Sequence, residues 1–200
     1  FEQILNSRVQ KFIRSDSKSK RKIFDFNDFS VFVPDFDRAK EVLLNDFREV
    51  YLDNVYGKHF LNGTAIKEND VVLDIGANVG IFGLWAATRT PNAKIYCVEA
   101  HPSIANELEQ NITNNQLDGR IILIRKCITE KKGKVKILLD EQTFTMTRIS
   151  DSPSGIWVNG ISIDKLVDEL NLNKLNLIKM DIEGAERMAL EGATGVLRQY

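Results

Sequence analysis

Two hydrophobic periods alternate along the second half of this chain. Short apolar runs, Val71 to Ile75, Lys94 to Val98, Ile121 to Ile124 and Leu177 to Ile182, have the length of buried strands. Between them, apolar positions recur at helical spacing. The pattern predicts helices over about 79–89, 103–115 and 163–170, and a further one from about Ala185. Ile104, Leu108 and Ile112 fall on one helical face, Thr90-Pro91-Asn92 stops the first helix, Pro102 sits where the second can start, and Ser162 is placed to cap the third. Gly133 precedes another strand-like run, Val135 to Leu139, and the polar, glycine- and serine-containing stretch 140–160 is expected to include a loop. Upstream, apolar residues alternate on either side of Asn27-Asp28 between Ile23 and Val33, which suggests a hairpin or two short strands, closed by Pro34. Residues 37–48 have helical spacing, a looser aromatic segment with Tyr51, Tyr56, His59 and Phe60 follows, and the basic residues 1–22 read as a solvated helix and linker.

Strands alternating with helices through short loops predict an α/β fold: a mostly parallel sheet covered by helices on both faces. The expected division is an N-terminal helical and hairpin extension over 1–65 and a ligand-binding core over 66–200. Composition narrows the partners. With a net charge of −1, the chain has no global attraction to nucleic acid or anionic lipid. Its apolar runs fall short of the ~20 residues of a membrane-spanning helix. Cys97 and Cys127 lie far apart, with no Cys-x-x-Cys and no Cys/His cluster. They read as two buried reduced thiols of a cytoplasmic protein without a metal site.

The candidate chemistry gathers at strand ends. Val71-Val72-Leu73-Asp74-Ile75-Gly76-Ala77-Asn78-Val79-Gly80 is a strand running through a glycine turn into an apolar helix, the layout of a nucleotide cradle. Asp74, Glu99 and Asp181 all fall at strand C-termini, where carboxylates favour a cationic or hydroxyl-rich ligand. Glu99 follows Gly80 by 19 residues, close to the spacing of about 20 for an acid that holds a ribose diol. Asn78 stands where a dinucleotide fingerprint has its middle glycine, and Asp74 just before the turn would oppose a pyrophosphate. Asp-x-Gly-x-Asn-x-Gly therefore suits S-adenosylmethionine, whose sulfonium and amino groups are positive and which carries no phosphate.

The same residues carry a resemblance. Val71 to Gly80, Val98-Glu99-Ala100-His101-Pro102, Lys126-Cys127-Ile128 before Gly133-Lys134-Val135, Ser162-Ile163-Asp164-Lys165-Leu166 and above all Lys179-Met180-Asp181-Ile182-Glu183-Gly184-Ala185-Glu186 resemble the FkbM-type family of S-adenosylmethionine-dependent methyltransferases over residues 71–198. The resemblance implies a Rossmann-like class I methyltransferase sheet and methyl transfer to a hydroxyl of a sugar or other secondary metabolite. It implies that Asp74, Gly76, Asn78 and Gly80 hold the methionine tail and Glu99 the ribose, that His101 lies against ribose or adenine, and that Cys127 and Ile128 line the adenine pocket. Asp181 would face the amino group or the transferred methyl. A hydroxyl acceptor must lose a proton, so a base is needed. Asp181 and Glu183 lead Glu186 and His101 for that role.

The family also adds a fifth strand after the helix that follows Glu186. Tyr200 falls inside or just after that helix, so the expectation is a core without its C-terminal strands. The alternatives are a cofactor-binding module without chemistry, or a nicotinamide-dependent oxidoreductase of related fold. A nucleic-acid methyltransferase lacks its Asp/Asn-Pro-Pro-aromatic signature here. The expected partner is a small-molecule or glycan hydroxyl acceptor, with neither nucleic acid nor membrane.

Overall fold

The computed structural model describes residues 13–16, 21–26, 28–34, 66–139 and 147–199. In chain order its elements are β1 (Ile13–Asp16), β2 (Arg21–Asp25), β3 (Ser30–Pro34), β4 (Val71–Ile75), α1 (Ile81–Arg89), β5 (Lys94–Val98), α2 (Pro102–Asn114), β6 (Ile121–Ile124), β7 (Cys127–Ile128), β8 (Gly133–Leu139), β9 (Thr147–Ile149), β10 (Ile156–Ile161), α3 (Ile163–Glu169), β11 (Leu177–Met180), α4 (Glu186–Glu191) and α5 (Val196–Gln199). The expected helix over 37–48 and the aromatic segment after it lie outside the described residues.

The parallel sheet runs β11-β4-β5-β6. Its side chains alternate faces as strand geometry requires. Val72, Ile95 and Cys97 join Leu84 of α1 and Ile104, Leu108 and Ile112 of α2 in one buried cluster. Leu73, Ile75 and Val98 join Ile163 and Leu166 of α3, Ala189 of α4 and Val196 of α5 in another. Both faces are thus covered, as the alternation of periods predicts. α3 spans 7 residues, too few to be stable alone, so it depends on this packing. The Ser162 hydroxyl accepts the Lys165 N–H at 3.2 Å, the predicted cap. Asp164 in turn accepts the Gly195 and Val196 N–H groups at 2.9 and 2.8 Å and caps α5. No helix among the described residues is long and apolar enough to cross a membrane.

Two parts differ from the sequence expectation. First, the polar stretch 140–160, expected to include a loop, also carries β9 and most of β10, which with β7 and β8 form a second sheet of order β7-β10-β8-β9. The glycines there permit close contacts between neighbouring segments. A Cβ on Gly155 would stand 2.8 Å from Lys136 Cγ, and one on Gly160 would stand 2.9 Å from Thr129 Oγ1. Second, residues 13–16, expected in a solvated helix and linker, are the strand β1, paired antiparallel with β2. The predicted hairpin is present as β2 and β3, closed by a Phe26 N–H to Phe29 carbonyl bond of 2.8 Å.

This N-terminal sheet is fastened to α2 by two asparagine carboxamides that act as strand partners. Asn111 accepts the Phe32 N–H at 2.7 Å and donates to the Phe32 carbonyl at 3.1 Å. Asn115 does the same one turn later for Ser30, at 2.8 and 2.7 Å. The spacing works because Ser30 and Phe32 point the same edge of β3 at α2, while residues four apart share a helix face. Phe24, Phe29, Val31 and Val33 then join the same cluster as α1 and α2. Asn111 is 0% exposed and also donates to the Val79 carbonyl at 2.8 Å, so one side chain spans hairpin, helix and glycine turn.

Removing the Asn111 carboxamide orphans several buried backbone groups, each costing roughly 1–3 kcal/mol. Asn111→Ala is therefore expected to lose at least about 2 kcal/mol in urea unfolding, more than Asn115→Ala, whose side chain lacks the bond to the turn. Equal losses for the two variants would contradict this ranking.

Candidate functional site

The C-terminal tips of β4, β5 and β11 converge on one cavity. Backbone bonds continue past the strand ends: Gly76 and Ala77 N–H groups both donate to the Val98 carbonyl at 3.0 and 3.1 Å, and the Asp181 N–H donates to the Ile75 carbonyl at 3.0 Å. The chain order leaves β4 toward β5 on one side and reaches β11 on the other, so the cavity lies at a topological switch point. Its walls include Gly76, Asn78, Phe82, Glu99, Cys127, Ile128, Ile137, Lys179, Asp181 and Glu183.

Gly76 has φ +74, and a Cβ there would stand 1.8 Å from the Asp181 carbonyl oxygen. Its freedom is needed for the approach of β11 as well as for a ligand. Asn78 and Glu183, at φ 51 and 54, hold left-handed conformations uncommon for residues with a side chain. Strain of that kind concentrates at functional sites.

Glu99 is 5% exposed. Its two oxygens accept the Asn78 N–H at 3.0 Å and the His101 N–H at 2.8 Å. Burial pushes its pKa up to about 7, against the backbone donors of His101 and Asn78, which lower it. The Asn78 Oδ1 is buried with no hydrogen-bond partner among the described residues. Cys127 and Ile128, from β7, meet Ile137 of β8 on the cavity wall. Cys127 and Cys97 are free thiols, as expected, and burial raises both, Cys127 to about 11 and Cys97 well above its ordinary value.

Three residues expected to touch the ligand stand elsewhere. Asp74 does not reach the cavity. It is 0% exposed, on the sheet face covered by α1, and its Oδ1 lies 3.2 Å from the Lys179 ammonium. Burial raises its pKa while Lys179 pulls it back. Strand alternation explains the placement: Asp74 shares the face of Val72, not that of Ile75. Gly83 of α1 lies over the same face; a Cβ there would crowd Cys97 Sγ at 2.7 Å and only touch Asp74 Oδ2 at 3.8 Å. The charge of Asp74 is compensated, so it no longer argues against a pyrophosphate. That argument passes to Glu99, which already occupies the Asn78 N–H that a phosphate would need.

Gly80 is the second displaced residue. It is the N-cap of α1 at φ +96, packed against Leu108 of α2 rather than lining the cavity. His101 is the third; it serves through its backbone N–H, and its half-buried imidazole, lowered in pKa by burial, lies outside the cavity wall. Lys179 is a charged wall residue that the sequence reading gave no role.

At the β11 tip, Asp181 and Glu183 are both exposed on the cavity wall. Burial, then the charges of Asp181 and Glu186, raise the Glu183 pKa. Glu186 is engaged differently. Its Oε1 accepts the Ile182 and Gly184 N–H groups at 3.2 and 3.3 Å, and backbone donors lower its pKa. It caps the turn, the alternative to a role as base.

The Methyltransferase FkbM domain description matches residues 74–200. Hexuronic acid methyltransferase AglP of Haloferax volcanii is 26% identical over 132 residues, covering 66% of this chain and 53% of that protein. The 31-O-demethyl-FK506 methyltransferase FkbM of Streptomyces tacrolimicus is 21% identical over 179 residues, 73% of this chain and 66% of that protein. The chain therefore spans between about half and two thirds of the length of these relatives. Among solved structures, M. jannaschii tRNA m1G37 methyltransferase aligns at a TM-score of 0.37 and 22% identity, over 57% of this chain and 36% of that one. The chain belongs to the FkbM methyltransferase family, whose cofactor is S-adenosylmethionine.

The cavity fits that cofactor on its own chemistry. A buried carboxylate with remaining lone pairs suits a pair of hydroxyl donors. An unpartnered amide oxygen at Asn78, with Asp181 across from the turn, suits an ammonium group. Cys127, Ile128 and Ile137 offer an apolar wall for a purine.

The two turn glycines are expected to differ on substitution. Gly76→Ala drives a methyl into the Asp181 backbone and should reduce S-adenosylhomocysteine affinity by roughly a hundredfold or prevent folding. Gly80→Ala meets the movable end of Leu108 and carries mainly the backbone strain of about 1–3 kcal/mol. Calorimetry of both variants checks the order, and a Gly76→Ala protein with unchanged affinity would contradict the geometry.

Proposed function

We propose that the chain is the S-adenosylmethionine-binding core of an O-methyltransferase acting on a hydroxyl of a sugar or other secondary metabolite, with residues 66–200 carrying the chemistry and the N-terminal extension bracing it. The observation that carries the reading is Glu99: a carboxylate on the cavity wall, fixed by two backbone donors beside the glycine turn, with its charge held back by burial. Such a group gains most from a ligand that brings its own donors, as a ribose diol does. The relatives favour an oxygen acceptor, one being named for a hexuronic acid and the other for a 31-O-demethyl compound.

The bound cofactor would supply an electrophilic methyl carbon, and transfer breaks its bond to sulfur as the bond to the acceptor oxygen forms. The chain's own part is to hold and to deprotonate. Asn78, Glu99 and Asp181 hold the cofactor, with Cys127 and Ile128 against the adenine. Glu183 takes the acceptor proton. Its raised pKa makes it a stronger base than an ordinary carboxylate. Asp181, two residues nearer the strand, orients the reacting groups beside the acceptor oxygen as that oxygen gains positive charge. The acceptor is a small molecule or glycan, with no part assigned to nucleic acid or membrane.

Two measurements test this. The Glu99 carboxyl accepts hydroxyl hydrogens most strongly when ionised, with no proton of its own in the way, so affinity rises with pH through the free-protein value of about 7. Below that pH, S-adenosylhomocysteine binding should weaken toward about tenfold per pH unit, and Glu99→Gln should be weaker and flat across the same range. A pH-independent wild type would remove the ribose assignment. In the whole protein with its acceptor, Glu183→Gln should lower kcat by roughly 10²–10⁴ with unchanged cofactor affinity, while Asp181→Asn lowers both. Wild-type kcat in Glu183→Gln would exclude it as the base.

A further inference from the structure

Lys179 sits where three structural demands meet. It is the register partner of Asp74 across the β11 and β4 ladder, so its stem rises on the face covered by α1. Its ammonium lies 3.2 Å from Asp74 Oδ1, donates to the Gly76 carbonyl at 3.1 Å and stands 6.0 Å from the centre of the Phe82 ring. The Lys179 side chain is 9% exposed and that of Asp74 is 0% exposed. Lys179 also lines the cavity.

The Gly76 carbonyl is the telling partner. On the β5 side the turn is held by the Gly76 and Ala77 N–H bonds to Val98. The Gly76 carbonyl accepts from a side chain of β11 instead. The turn is thus held from both neighbouring strands, by peptide groups on one side and by an ammonium on the other.

We propose that Lys179 is a positioning residue for cofactor binding, its ammonium fastening the Gly76 turn to β11 while Asp74 compensates its charge. The proposal rests on the S-adenosylmethionine reading of the cavity. Asp74 then has a definite task although it lies outside the cavity wall: it draws the Lys179 charge inward, away from a cofactor that is itself cationic. A neutral side chain at 179 would leave the Gly76 carbonyl without this donor and Asp74 without its counter-charge. Breaking a buried pair by removing one partner is costly, whereas replacing both partners together is often tolerated. That asymmetry separates stability from positioning.

The test uses Lys179→Met and the double variant D74N/K179M in the full chain. Ligand-free melting, S-adenosylhomocysteine calorimetry and amide hydrogen exchange are measured for each. Lys179→Met should melt lower and bind at least about tenfold more weakly, the loss of one charge-assisted bond. The double variant should regain most of the melting temperature yet remain about tenfold weaker in binding. Without ligand, its Gly76 and Ala77 amides should exchange faster than in the wild type while α2 keeps its protection. Wild-type affinity in either variant overturns the proposal, because Lys179 would then act only on stability. If the unmodified chain does not bind S-adenosylhomocysteine, the cofactor reading fails instead. In that case unchanged exchange at Gly76 and Ala77 in the double variant still refutes the fastening of the turn.

Discussion

The tips of β4 and β11 touch, and the rest of the site follows from that contact. Gly76 has no room for a methyl group, because the Asp181 carbonyl occupies the place where a Cβ would be. A sheet that brings two parallel strands this close at their C-terminal ends delivers whatever follows each of them to one spot. After β4 comes the turn with Asn78; after β11 come Asp181 and Glu183. β5, on the other flank of β4, brings Glu99 to the same place. The site is therefore assembled by backbone approach, with loops contributing only the short continuations of three strands. Catalytic geometry built on strand tips is held by the ladder bonds beneath it.

Three polar side chains buried beneath this contact are each answered by something specific. Glu99 is answered by two backbone N–H groups, Asn111 by three backbone groups on two elements, and Asp74 by the Lys179 ammonium. The arrangement joins the N-terminal sheet to the cofactor turn. Asn111 holds the Val79 carbonyl on one side of the turn and the β3 edge on the other. The same carboxamides satisfy an edge strand that would otherwise expose unpaired peptide groups. The Arg21 to Glu107 ion pair, at 2.9 Å, lies beside them on α2, but partial exposure makes it a weaker contributor. The hairpin thus braces the cradle through packing and amide bonds more than through charge.

Much of this was legible in residue order, and the failures have physical causes. The four parallel strands and the helices between them follow from period, and Glu99 and the strand 177–182 carboxylates follow from their place after apolar runs. What the run Val71 to Ile75 does not announce is which residue faces which side, because both faces of a parallel sheet are buried. Asp74 was read at the rim for that reason. The correct side is marked at a distance, by Lys179 on β11 and by Gly83 in the first turn of α1. Neither is interpretable until the pairing of β11 with β4 is known. The second sheet was missed because Gly155 and Gly160 signal a turn and a close approach equally well. Strand β1 was missed because its residues, Ile13, Arg14, Ser15 and Asp16, have no apolar alternation to show.

The distribution of charge around the cavity bears on how binding and proton transfer are linked. Glu99 and Glu183 both have raised pKa values, but for different purposes. Glu99 is raised almost wholly by burial and is relieved by donors, so a diol that binds it stabilises the ionised form. Glu183 is raised by burial and by its acidic neighbours Asp181 and Glu186. In the proposed reaction the positive charge of the donor would pass with the methyl group to the acceptor oxygen, and it would be discharged when Glu183 takes the proton. The acidic neighbours of Glu183 favour its protonated form, so they would assist that transfer. Glu186 can contribute its charge to this effect while remaining fixed, since its own carboxylate is committed to the Ile182 and Gly184 N–H groups. A carboxylate cluster at the end of β11 would then have a chemical logic beyond attraction of a cation: the neighbours of Glu183 make it the stronger base of the group.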